Sequence, residues 1–202
     1  MLAALPMPAL ADDPDGGLVA PVKALYAGLE AVMREGSVST FGKRFQQLAP
    51  VIGQAFNLTA ILARSVGARW SGMDEAMRRR LFKAFTEFTV ASYVANFDEF
   101  SGQRFEILPE QRSVGADKVV ATRIVRANGS PVRIDYLMHQ DGQGWKIVDV
   151  LLEGTISRVA VQRSDFRALL DKGGAEALIV SLQRKTADLS GGAQLSDAAP
   201  RP

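Results

Sequence analysis

The sequence predicts an α+β fold: an antiparallel, curved sheet of four to five strands wrapped by helices, with either a further covering layer or an apolar pocket on its second face. Three observations predict it. Apolar residues follow a helical period up to about residue 96 and a period of two from Arg104 onward. Two turn signals, Asn128-Gly129 and Asp141-Gly142, separate the alternating runs and tolerate the positive φ of tight hairpins. The last long run, 145–152, is apolar on both faces, so it needs either covering layers on both sides or a cavity on one.

Val19, Val22, Leu25, Tyr26, Leu29, Val32 and Met33 recur at helical spacing and predict an amphipathic helix over 15–38, closed near Gly36. Phe41, Phe45 and Leu48 predict a short second helix stopped by Pro50. A third is expected over 51–67, with Ile61, Leu62 and Val66 on its apolar side and Gly67 ending it. Ser71-Gly72-Met73-Asp74 reads as a capping box for a long fourth helix through Met77, Leu81, Phe85 and Phe88 to about Asn96. Phe105 and Ile107 mark the first strand; 118–126, 132–139 and 145–152 are the next three. Their order predicts a meander with helices packed on one face. Helices return over 157–171 and 175–185, separated by Gly173-Gly174. Residues 186–202 have no apolar period and are expected to form a disordered tail.

Composition narrows the function classes. The 202 residues are 47% hydrophobic, which suits one domain with a sizeable core. Cysteine is absent, which excludes disulfides, thiol chemistry and Cys-based metal sites. His139 is the only histidine and cannot form a histidine cluster, so no metal and no cofactor are expected. A formal charge of +2 gives no argument for nucleic acid as a partner. Residues 1–11, MLAALPMPALA, are apolar, end in Ala9-Leu10-Ala11 and precede Asp12-Asp13-Pro14. They read as the remnant of a secretory signal peptide with an A-x-A cleavage site, followed by a single domain over 12–185. The mature protein is therefore expected to be exported and soluble. No later stretch reaches the ~18 uninterrupted apolar residues that a membrane span requires.

On the third long run, Val132, Ile134, Tyr136 and Met138 share one face, and Arg133, Asp135, Leu137 and His139 the other. On the fourth, strict alternation groups Trp145, Ile147, Asp149 and Leu151 against Lys146, Val148, Val150 and Leu152. Phe82, Phe85, Phe88, Tyr93, Phe97 and Phe100 place aromatics over an arc too wide for one narrow helix face. Core packing is the ordinary explanation for each stripe taken alone. Residues 131–182 contain nothing that looks like a nucleophile, a metal site or a phosphate loop. The segment reads as a wall for apolar contact, which favours carrying a lipid over covalent chemistry.

These residues also carry a resemblance. Pro131-Val132-x-Ile134-Asp135-Tyr136, Trp145-Lys146-Ile147-x-Asp149-Val150, Glu153-Gly154 and Arg163-x-x-Phe166 resemble the signature of the MlaC family. Its members are periplasmic phospholipid-shuttle proteins, also called toluene-tolerance auxiliary proteins. Phe56-Asn57-Leu58, Val66-Gly67-x-x-Trp70, the Phe82/Phe85 to Tyr93 pattern and Phe100-Ser101-Gly102 are similar to that family's helical half. The resemblance spans about 20–185. The chain departs from the family at Asn57, usually Asp; at Gly154-Thr155-Ile156-Ser157, one residue longer than usual; and at Val161-Gln162, often Asn-Tyr. In these departures it looks like the HpnM branch, which accompanies hopanoid biosynthesis.

The resemblance implies a monomeric periplasmic shuttle that carries a phospholipid or a hopanoid-type lipid between membranes. Its partners would be an inner-membrane lipid transporter and an outer-membrane lipid complex. Apolar alternation and family position together assign Phe82, Phe85, Phe105, Ile124, Ile134, Tyr136, Trp145, Ile147, Val150, Leu152 and Phe166 to a lipid-binding wall. Asp135, Asp149, Glu153 and Arg163 are expected to form a structural polar set. For Arg163 the alternative is headgroup contact, since a guanidinium fork suits phosphate. Arg78-Arg79-Arg80 reads as a solvated helix face. Two rival classes remain open: a small isomerase or hydrolase casting Asp135, Tyr136 and His139 in catalytic roles, and a ligand-free adaptor of a membrane transport complex. Against the enzyme, Asp135 and Tyr136 point to opposite faces of one strand.

Overall fold

A computed structural model describes residues 17–127, 129–193 and 195. The expected signal segment and Asn128 of the first turn signal lie outside them. Helix α1 (Ala20–Glu35) opens on Pro21, whose missing N–H is one that a helix start leaves unpaired anyway. Its stripe of Val22, Leu25, Leu29 and Val32 is buried, and it packs on α2 (Phe41–Ala55). A Cβ on Gly28 would meet Val51 Cγ1 at 2.8 Å, so glycine sets how closely these two helices approach.

Helix α2 differs from the sequence expectation in two ways. Pro50 does not stop it. Phe45, Leu48, Ala49, Ile52 and Ala55 form one buried stripe running past the proline, and Pro50 sits on the exposed flank, where one missing helical bond matters least. The helix expected over 51–67 is in fact two pieces. Residues 51–55 complete α2, and α3 (Leu58–Val66) starts afresh after Phe56-Asn57. The sheet makes this break. The Asn57 N–H donates to the Ile147 carbonyl at 2.9 Å, and Phe56 forms a parallel bridge with Ile147. The Asn57 side chain then caps α3 by accepting the Ala60 N–H at 2.9 Å.

Helix α4 (Glu75–Asn96) is capped by Asp74, which accepts the Met77 N–H at 2.8 Å. Ser71, the expected cap, donates instead to the Ala68 carbonyl in the preceding 3-10 turn. The backbone decides between them: Ser71 is already helical (φ −67°, ψ −28°), whereas Asp74 is extended (φ −67°, ψ 165°), as an N-cap requires.

Five strands follow: β1 (Arg104–Val114), β2 (Asp117–Val125), β3 (Val132–Asp141), β4 (Gly144–Leu152) and the short β5 (Ile156–Ser157). They pair antiparallel in sequence order as a curved, unclosed meander. Strict alternation on β4 fails. Leu137 pairs with Asp149 and Met138 with Ile147, so Val148 is an extra residue and β4 bulges there. Trp145, Ile147, Val150 and Leu152 therefore share one face with Ile134, Tyr136 and Met138.

Helix α5 (Arg158–Ser190) leaves helical geometry at Gly173 and Gly174, as the Gly-Gly pair predicts. Its second half passes 185 and buries Thr186 and Ser190, so the helix extends into the expected tail; residues 194 and 196–202 lie outside the described ones.

On the sheet face opposite Tyr136, the fully buried Asp135 accepts from Arg133 Nε (3.1 Å) and Nη2 (3.3 Å), Arg112 Nη2 (3.5 Å) and the Thr122 N–H (3.4 Å). The Glu153-Gly154 turn closes over this cluster. Its residues have φ 51° and 72°, and the Gly154 carbonyl accepts from Arg112 at 2.7 Å. A Cβ on Gly154 would meet Arg133 Nε at 3.0 Å and Asp135 Oδ2 at 3.2 Å. Replacing Asp135 with alanine leaves two guanidinium groups without their shared acceptor and should destabilise the protein by about 2–3 kcal/mol. Gly154→Ala should cost about 1–2 kcal/mol through its left-handed backbone. Urea denaturation reads both values, and an unchanged midpoint for Asp135→Ala would show that the cluster carries no stability.

Candidate functional site

A cavity of about 430 Å³ lies between the sheet and helices α3, α4 and the start of α5. Small-molecule sites run from about 300 to 1,000 Å³. The sheet contributes Phe105, Ile124, Val132, Ile134, Tyr136, Val150 and Leu152. Cross-strand register explains the grouping: Phe105 pairs with Ile124, Ile124 with Val132, Tyr136 with Val150 and Ile134 with Leu152. The bulge at Val148 is what brings Val150 and Leu152 onto this face.

Helix α4 supplies Phe85, Thr89, Ser92, Tyr93 and Asn96, one stripe at helical spacing. Three of these are polar, and each is satisfied within its own helix. Thr89 Oγ1 donates to the Phe85 carbonyl (2.8 Å), Ser92 Oγ to the Phe88 carbonyl (2.8 Å) and Asn96 Nδ2 to the Ser92 carbonyl (2.7 Å). Short side chains bonded back to the helix leave room in front of it without leaving polar groups unpaired. Buried Met33, Phe56, Leu58 and Ile61 complete the apolar lining, and the exposed Asn96, Asp98, Glu99, Arg126 and Arg158 surround the opening.

The start of α5 is fixed to the sheet by Asp149. Its carboxylate accepts the Ser157 hydroxyl (2.5 Å) and the Val159 N–H (3.0 Å) in the first turn of the helix, and the Val150 N–H (2.7 Å). A carboxylate at a helix N-terminus also meets the favourable end of the helix dipole. This contact sets Arg158, Val159 and Gln162 along the cavity.

The residues assigned to a wall from sequence divide. Phe85, Phe105, Ile124, Ile134, Tyr136, Val150 and Leu152 line the cavity. Phe82, Trp145, Ile147 and Phe166 do not, and belong to the surrounding core. Ile147 is on the correct sheet face but is fully buried in the core, where the Phe56 backbone pairs beside it. Trp145 lies one step further along the same face, half-buried. Phe166 stands behind Phe85 in an edge-to-face contact with centroids 6.3 Å apart. Phe82, buried, shares the face of the Phe85 stripe but lies one turn nearer the start of α4, outside the lining.

Arg163 and Glu153 are also off the cavity. Arg163 is exposed beside Gly67, and Glu153 lies in the exposed turn over Asp135. Neither enters the Asp135 or Asp149 contacts, so the expected four-member polar set resolves into two separate anchors. The triple arginine is largely paired: Arg80 with Glu176 (2.6 Å), Arg79 with Glu75, and Arg78 with the Trp70 and Ser71 carbonyls.

Tyr93 and Phe97, counted in the aromatic cluster but not assigned to the wall, and the polar α4 stripe are lining residues that the sequence assignment missed. The available signal was the spacing 85, 89, 92, 93, 96 read irrespective of polarity. Arg126 and Arg158 carry no motif, and nothing in the sequence marks them.

Tyr93 and Tyr136 line the cavity, and Tyr26 packs behind them against Phe105 and Tyr136. Tyr26 donates to Thr122 Oγ1 at 2.5 Å, and Thr122 in turn donates to the Ile134 carbonyl. Burial pushes all three phenols above their ordinary range. For Tyr93, the nearby Arg158 charge opposes that shift without cancelling it. Asp135 faces away from the cavity inside its arginine cluster, while His139 pairs with Asp117 at 2.6 Å. The three groups that a catalytic reading would recruit therefore do not converge. Among the described residues no set of three or more His, Cys, Asp or Glu side chains is placed to hold a metal. None of the described helices is long and apolar enough to cross a membrane.

A family model described as MlaC protein matches residues 26–184. The chain belongs to the MlaC family. Its fold is similar to that of a phospholipid-binding protein from Ralstonia solanacearum, solved in complex with a phospholipid. The TM-score is 0.74 at 21% sequence identity, over 86% of this chain and 98% of that one.

The tyrosine environment predicts an alkaline limit. Because folding raises these phenol pKa values, the unfolded chain releases its phenolic protons first. Stability should be independent of tyrosine ionisation below pH 10 and fall as pH rises above it. A spectroscopic pH titration should show the phenolate band appearing with unfolding; a phenolate signal from all three at pH 10 in the folded protein would overturn this.

Proposed function

We propose that this MlaC-family protein is a periplasmic lipid carrier that holds acyl chains in the cavity, leaves the headgroup at the mouth and performs no covalent chemistry. The observation that carries this reading is the graded lining: buried Phe85, Leu58, Ile61, Ile124 and Tyr136 inside, charged and exposed residues around the opening. The phospholipid bound to the Ralstonia neighbour supports a phospholipid as the cargo. The departures from the family motif around Gly154 and Val161 keep a hopanoid-type lipid as the second candidate.

Each buried CH₂ is worth about 0.8 kcal/mol, so a chain of ~16 carbons gains on the order of 12 kcal/mol on leaving water, before ordering costs. That is enough to hold a lipid in an aqueous compartment. Extraction from a bilayer gains little, because the tail is apolar before and after. A carrier of this kind therefore works with membrane complexes that load and unload it, here an inner-membrane lipid transporter and an outer-membrane lipid complex. Export by the N-terminal signal segment and a monomeric state complete the proposal.

The test is organic extraction of the purified mature protein, followed by mass spectrometry. A stoichiometric phospholipid is expected; a hopanoid would move the protein to the HpnM branch. Ile134→Trp and Val150→Trp, which fill the cavity from two strands, should reduce bound lipid at least tenfold while circular dichroism stays native. Full lipid loading in both variants would sink the carrier reading, and a lipid-free wild type that also ignores labelled liposomes would favour the adaptor.

A further inference from the structure

The mouth of the cavity is ringed by four charged side chains: Asp98 and Glu99 from the segment after α4, Arg126 just past β2, and Arg158 at the first position of α5. All four are exposed. None has an ion-pair or side-chain hydrogen-bond partner among the described residues. This is unlike much of the arginine-bearing surface, where Arg69 meets Asp171 at 2.5 Å, Arg80 meets Glu176 at 2.6 Å and Arg123 meets Glu106 at 2.7 Å.

The backbone is anchored on two sides of the opening. The acidic segment is fixed by Arg44 Nη1 donating to the Asp98 carbonyl (3.3 Å), Gln103 Nε2 to the Glu99 carbonyl (3.2 Å) and the Phe100 N–H to the Met33 carbonyl (3.1 Å). Arg158 is fixed through the Asp149 contacts to Ser157 and Val159 on either side of it. Two charges of each sign thus stand around one opening without neutralising one another.

The geometry points to a zwitterionic headgroup, a phosphodiester joined to an amine, as the class this mouth selects. The inference rests on the carrier reading above. Arg126 and Arg158 offer guanidinium forks that match a phosphate, and Asp98 and Glu99 offer acceptors for an ammonium. An anionic phosphoglycerol headgroup satisfies the arginines but sets its charge against both acids. A neutral hopanoid or diacylglycerol uses none of the four. Because the groups are solvated, discrimination is modest and weakens as salt is added.

The test is competitive loading. Delipidated full-length mature protein is incubated with vesicles holding equal amounts of phosphatidylethanolamine, phosphatidylglycerol and diacylglycerol with identical acyl chains, then re-isolated and its lipid quantified by mass spectrometry. Phosphatidylethanolamine should exceed phosphatidylglycerol by roughly fivefold, corresponding to about one exposed charge contact. The Asp98→Asn/Glu99→Gln variant should bring that ratio close to one. The Arg126→Gln/Arg158→Gln variant should erase the preference for both phospholipids over diacylglycerol. Uptake in the vesicle ratio by the wild type would overturn the headgroup inference and leave the carrier standing. No uptake of any of the three would overturn both.

Discussion

Strand β4 is the member that the rest of the molecule depends on. Its Ile147 carbonyl takes the Asn57 N–H and ends one helix where the next begins. Its Lys146 reaches the Gln54 carbonyl at the end of α2. Its Asp149 ties down the first turn of α5. Three helices are thus positioned by three residues of one strand, Lys146, Ile147 and Asp149, with β3 holding that strand from the other side. Without these polar contacts, apolar faces could slide against the sheet at little cost, since hydrophobic burial is not directional. The hydrogen bonds supply the direction.

That framework also explains how a protein with a dense core keeps an unfilled volume. The helices are held at fixed points on β4, and α4 faces the gap with threonine, serine and asparagine where a core helix would carry leucine. Because these polar groups bond to their own helix, the wall tolerates either hydrocarbon or water in front of it. The aromatic groups Tyr93, Phe97 and Phe105 line the same space, with Tyr93 and Phe97 stacked at 5.9 Å and Phe97 and Phe105 tilted at 5.9 Å. Rigid rings resist collapse into the gap better than flexible aliphatic chains would.

The meander, the helical halves and the glycine break in α5 were legible in the sequence because each rests on local periodicity or on backbone chemistry. What failed was decided at a distance. Pro50 stays in a helix because the apolar stripe on its other side is buried. Phe56-Asn57 breaks a helix because a strand ninety residues later pairs with it, and no window around residue 56 contains that information. The wall residues follow the same division. Ile124, Ile134 and Tyr136 follow from alternation, whereas the arginines of the mouth have no local pattern at all. Ile147 has the pattern of a wall residue, yet it is part of the core, beside a helix break ninety residues earlier in the chain.

The extra residue at Val148 makes the cavity a matter of counting as well as chemistry. Beyond it, the parity of the strand is inverted, so Val150 and Leu152 face inward and Leu151 faces the Asp135 side. Exchanging one aliphatic residue for another at 150 or 152 changes the volume of the chamber. Removing a single residue past the bulge, such as Val150, would instead trade the two faces of the strand's end, setting Leu151 toward the chamber and offsetting the Glu153-Gly154 clasp from Arg112 and Arg133. Here the chain should drift readily in composition while tolerating almost no change in length.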